Sequence, residues 1–209
     1  MIYIENVYIC LAAPVLIAVL CLRNDRRRNT AFLLGGMTAC ILSSYITTFL
    51  AMVLGAEGEY AAIDIAPFVE EAVKLSPVLF YMFAFRPKKE KLPESILMVS
   101  VGFATFENVC YLLNNGVENF ADLLIRGFGT GAMHVICGAL VSVGLLWLWE
   151  NRWLRIVGTV GLLSVAITYH GVYNILVNQT GIPLVIGCMI PVFTMGMFWL
   201  VRRQIQFFV

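Results

Sequence analysis

Apolar residues dominate the chain in long runs, and the polar positions between them recur at nearly regular intervals. A helix needs about 20 predominantly apolar residues to cross a bilayer. Seven runs approach or reach that length, near 6–22, 30–54, 67–85, 95–114, 124–149, 156–177 and 183–201. The pattern predicts an all-α fold, a polytopic membrane helix bundle with about seven transmembrane helices, forming one membrane-embedded domain over residues 1–209. The first run has the length of a signal peptide. It lacks a basic segment before it and carries one after it, so it reads as a retained helix.

The polar positions also orient the bundle. Arg23, Arg26, Arg27 and Arg28 follow the first run; Arg86, Lys88, Lys89 and Lys91 follow the third. Arg152 and Arg155 follow the fifth, and Arg202 and Arg203 follow the last. The intervening connections carry Glu5, Glu57, Glu59, Asp64, Glu118 and Asp122 instead. Basic loops stay on the cytoplasmic side, so the N-terminus is expected outside and the C-terminus in the cytoplasm. Of the 14 Lys and Arg residues, only Lys74 and Arg126 fall outside this scheme.

Composition agrees: 60% of residues are hydrophobic and 13% charged, whereas soluble domains average about 25% charged. A net charge of +1 offers no electrostatic footing for nucleic acid, and the bilayer is the expected surrounding. The six cysteines lie in apolar stretches without CxxC spacing and read as small buried hydrophobes. The segment at 55–66 reads as a loop or mobile flap. The prolines of RPKKEKLP (86–93) argue against continuous helix there. Asn178-Gln179-Thr180 fits a glycosylation triplet, a pattern common by chance.

Ionisable groups inside membrane helices are costly and mark function by default. Here they are Glu70, Glu71 and Lys74 on the third span, Glu107 on the fourth, His134 on the fifth and His170 on the sixth. Asn108 adjoins Glu107, and Asn174 lies one turn beyond His170. At about 1.5 Å rise per residue, all fall roughly 5–15 Å below the outer boundary. Structural roles exist for each: an interfacial ion pair, an interhelical clamp, a histidine bonded to a carbonyl. Four spans sharing one depth favour a common site. Glycines at 127, 129, 131, 138 and 171 leave room for close packing there.

These residues form four ordered motifs. Glu70-Glu71-Ala72-Val73-Lys74 reads EExxK, residues 103–108 read FxxxEN, His134 opens HxxxG, and His170 to Asn174 reads HxxxN. The set, spanning about 67–177, resembles the PrsW family of membrane proteases, related to the type II CAAX prenyl endopeptidases and Abi proteins. The resemblance implies a glutamic-type intramembrane endopeptidase without a metal, in a prokaryotic plasma membrane. Its substrate would be a membrane-anchored protein, cut near the outer face as in first-site cleavage of an anti-sigma factor. CAAX-type members carry histidine where this chain has Glu107, so their paired water-activating arrangement does not carry over unchanged.

For such chemistry the residues suggest Glu70 as general base, with Lys74 holding Glu70 or Glu71 ionised, since both spacings fit. Glu107 would share the attacking water with Glu70, with His134 the other candidate partner. His170 and Asn174 would serve the oxyanion, and Asn108 would orient. Zinc is the nearest chemical competitor, since two histidines and glutamates are acceptable ligands. Two other functions compete: a non-catalytic scaffold related to the Aph-type subunit of γ-secretase, and a small transporter. A transporter would need polar groups across the whole bilayer.

Overall fold

The computed structural model describes residues 4–56, 58–116, 120–147 and 152–206. Glu57 and Glu118 lie outside the described residues, as does the Arg126 side chain. Among the described residues seven long helices follow one another: α1 (Ile4–Cys21), α2 (Asn24–Leu54), α3 (Ala66–Phe85), α4 (Leu92–Asn115), α5 (Phe120–Trp147), α6 (Arg152–Val177) and α7 (Ile182–Gln206). α1, α2 and long stretches of α4, α5 and α6 are apolar and long enough to span a membrane. α3 has the length, but Glu70, Glu71 and Lys74 interrupt its apolar run. The described apolar stretch of α7, Ile182–Met197, is shorter. The result is a helical membrane bundle.

Local chemistry ends the helices where the chain must turn. Gly55 closes α2 at φ 65°, and its N–H reaches the carbonyls of the last turn; a left-handed cap of this kind suits glycine. Proline stands in the first turn of both α3 and α4, where its missing N–H costs nothing. Of the segment at 55–66, expected to be a loop or flap, residues 58–66 are instead helical. A short turn at Gly58–Tyr60 runs into a π-helical turn at Ala61–Ile65, which joins α3 directly. RPKKEKLP behaves as expected, with only a 3-10 turn at Lys89–Lys91 before α4.

α2 packs most extensively on α4, and the two run parallel. A Cβ on Gly36 would lie 2.0 Å from the Val99 carbonyl oxygen, and one on Gly102 would lie 2.0 Å from that of Leu33. The backbones therefore touch, as small residues permit in membrane helices. At one end of this seam Glu94 binds Arg28 at 2.5 Å and Asn29 at 2.6 Å, and Asp25 binds Lys91 at 3.0 Å. The basic connections after α1 and α3 thus meet at the same end of the bundle, as the charge pattern predicts. Toward the other end the seam opens.

α1 sits on the outside, with Ala12 its one buried position among the described residues. It is latched by Tyr8 to Thr38 at 2.7 Å and by Glu5, which accepts from Tyr45. The main core, including Val78, Met82, Leu92, Val99 and Leu145, fills the half of the bundle beside the closed part of the seam.

Candidate active site

Neighbouring residues on an α-helix point about 100° apart, and this separates Glu70 from Glu71. Glu71 faces the interior and is 4% exposed. Its Oε1 lies 2.5 Å from Nζ of Lys74 and 2.7 Å from Nδ1 of His170. Lys74 is therefore paired with Glu71, the choice that spacing alone left open. The same ammonium reaches Nδ1 of His134 at 2.8 Å and stands 5.0 Å from the centroid of the Phe103 ring. His134 turns its Nε2 to Glu107 in a short hydrogen bond. His170 turns its Nε2 to Oε2 of Glu70 at 3.7 Å. The two imidazoles meet edge to face, centroids 5.0 Å apart, and both are fully buried.

The six side chains form a continuous arc: Glu107, His134, Lys74, Glu71, His170, Glu70. Four helices supply them. Both ends of the arc, Glu70 and Glu107, line a cavity of about 610 Å³, while the four middle members do not. The cavity lies where the α2–α4 seam opens, between Ser43–Thr48 of α2, the Ala61–Ala66 segment and the last turns of α4. Burial of a charge without partners is prohibitive. The arc answers this by giving each buried charge a charged or hydrogen-bonding neighbour.

Some expected roles shift. Glu71 is a buried anchor, committed to Lys74 and His170, and not a carboxylate facing the cavity. Glu107 contacts His134, and both nitrogens of His134 are engaged within the protein, so it is not placed as a partner for a cavity water. Asn174, expected beside an oxyanion, donates to the carbonyl of Ala62 at 3.1 Å and so ties the π-helical turn to α6. Asn108 donates to the Gly127 carbonyl at 3.4 Å, a link from α4 to α5.

The cavity wall was not foreseen. Cys40 and Cys110, read as inert packing, both line it, with Ser43, Ser44, Thr47, Thr48 and Phe106. Hydroxyls in helices usually bond back to the preceding turn, as Thr48 does to Ser44 at 2.9 Å, so they carry no signal of a site. The Thr47 hydroxyl is buried without a hydrogen-bond partner.

The donor set also suits a metal. Glu70, His134 and His170 each offer a ligand atom, all within 4.8 Å of one another. On a tetrahedral zinc ion, ligand atoms bound at about 2.0–2.2 Å lie about 3.4 Å apart. The group would need to close by up to about 1.4 Å, and its nitrogen and oxygen atoms are ones zinc accepts.

A family model described as PrsW family intramembrane metalloprotease matches residues 28–201, most of the chain. Two curated proteins share shorter stretches. The phospho-N-acetylmuramoyl-pentapeptide-transferase of Rhodopseudomonas palustris strain BisA53 is 34% identical over 95 residues, 39% of this chain and 26% of the transferase. The protein of the same name from strain BisB18 is 42% identical over 59 residues, 27% of this chain and 16% of the transferase. The chain thus spans about a quarter or less of these curated relatives. No solved structure matches. The expectation of a site without metal is not supported, given the family's description and the Glu70, His134, His170 group.

Proposed function

The chain belongs to the PrsW family of intramembrane metalloproteases, and from that premise we propose that it cuts a membrane-anchored protein near its outer face. An anti-sigma factor or a protein of similar build is the substrate, and the membrane is a prokaryotic plasma membrane. The observation that carries this reading is the arc whose two terminal carboxylates, Glu70 and Glu107, open on one cavity.

Peptide hydrolysis needs a base for the attacking water and an acid for the leaving amine. Glu70 and Glu107 supply both, one taking the proton of water and the pair returning it to the amine. His134 holds Glu107 from behind, and His170 stands against Glu70. Glu71 and Lys74 do not touch substrate; they fix the two histidines. By distance, the group that would hold a metal is Glu70, His134 and His170. When bound, such an ion polarises the scissile carbonyl and acidifies water.

The test uses the protein in liposomes with a single-pass reporter carrying an anti-sigma-factor outer segment, its fragments mapped by mass spectrometry. A cut in that segment is expected, lost on chelation and restored by zinc. Glu70→Gln and Glu107→Gln should each lower the rate by at least about 10²-fold. Full activity in both variants would overturn the proposal.

A further inference from the structure

The arc dictates which nitrogen of each histidine carries a proton. Glu71, paired with Lys74 at 2.5 Å, is a carboxylate and only accepts. Nδ1 of His170, 2.7 Å from its Oε1, must therefore bear a hydrogen. Lys74 is an ammonium with three donors and no acceptor. Nδ1 of His134, 2.8 Å from Nζ, must therefore accept and bear none. An imidazole keeps at least one hydrogen, so His134 carries its hydrogen on Nε2 and donates it to Glu107.

We propose that Lys74 locks His134 as an N–H donor to Glu107, so that a metal in this centre is held by His170 and Glu70 and not by His134. Lys74 is then a positioning residue. The ligand assignment rests on the metal-dependent reading above, whereas the proton positions do not.

A metal ligand needs an in-plane lone pair. His134 has one, and Lys74 occupies it. Phe103 closes the space around the ring, its centroid 5.0 Å from that of the imidazole, and His134 is 0% exposed. His170 is the opposite case: Glu71 takes its Nδ1 hydrogen and thereby aims Nε2 at Oε2 of Glu70, 3.7 Å away. A carboxylate behind a histidine is the usual arrangement for orienting a ligand nitrogen. Two ligands on a tetrahedral zinc sit about 3.4 Å apart, close to the separation already present.

The protein carries two histidines, which makes the assignment measurable. The full chain, labelled with nitrogen-15 histidine in detergent micelles, gives two ring spectra, assigned with His134→Gln and His170→Gln. The expected result is a bare Nδ1 and protonated Nε2 in His134, with a protonated Nδ1 in His170. Zinc should move Nε2 of His170 and leave both nitrogens of His134 in place. Zinc affinity should fall at least about tenfold in His170→Gln and stay within about threefold of wild type in His134→Gln. Lys74→Met should return hydrogen to Nδ1 of His134; if that variant does not fold, the wild-type spectrum decides alone. A hydrogen on Nδ1 of His134 in the wild type, or a zinc-induced shift of either of its nitrogens, would overturn the proposal. Zinc that moves neither ring overturns the ligand assignment together with the metal part of the function above. Absent proteolysis with proton positions and zinc shifts as expected counts against that function alone.

Discussion

Lys74 and Glu71 form an ion pair at 2.5 Å inside the bundle, with side chains 6% and 3% exposed. Removing one partner of such a pair strands the other charge, at a cost of about 3–5 kcal/mol, whereas replacing both is far milder. Glu71→Met and Lys74→Met should each lower the thermal unfolding temperature in detergent. The double variant should be more stable than the sum of the two losses allows. Strict additivity would show that the pair contributes nothing as a pair.

The parallel contact of α2 and α4 leaves no room for a methyl group. Gly36→Ala and Gly102→Ala each place a Cβ 2.0 Å from a carbonyl oxygen, and overpacking of this kind costs about 1–3 kcal/mol or more. Gly131→Ala, with nothing within 4 Å, should be neutral or slightly stabilising, since alanine is the better helix former. Thermal scans of the three proteins separate the cases. Equal stability in all three would contradict the close backbone approach.

Asn174 offers a sharper distinction. As a donor to an oxyanion its loss would lower the rate by about 10²–10³-fold. As the tether of the Ala62 carbonyl it is worth about 0.5–1.5 kcal/mol. Asn174→Ala should therefore slow cleavage of the liposome reporter by about tenfold or less. A fall of two or more orders would return it to the chemistry.

Ser44 lines the cavity and is not packed into the core, so a larger side chain there should fill the space without disturbing the core. Ser44→Phe is expected to reduce reporter cleavage by at least about tenfold while leaving the unfolding temperature unchanged, because exposed substitutions seldom shift stability. Undiminished cleavage would mean that substrate does not enter by this cavity.

Much of this was legible from residue types alone. Glu70, Glu71, Lys74, Glu107, His134 and His170 stand out because a bilayer penalises them, and the structure gathers all six. Their pairing was not legible. Three and four residues of separation both place a glutamate beside Lys74, and the choice of Glu71 depends on His170, 99 residues further on. Asn174 and His170 share a helix face, yet one tethers a turn and the other joins the arc. That turn, at 61–65, read as a loop because it is rich in small residues with an acid among them, and π-helical hydrogen bonding leaves no periodic signature. The hydroxyl wall of α2 was hidden for a related reason, since serine and threonine in apolar helices ordinarily satisfy themselves.

The apolar core beside the closed seam has a further consequence. Among the described residues, the buried charged groups are confined to the arc; beyond it Val78, Met82, Leu92, Val99 and Leu145 fill the interior. Ions meet a barrier of tens of kcal/mol in such surroundings. A polar cavity can thus reach partway into the bundle while the apolar packing beyond it withholds a path for ions from one end to the other.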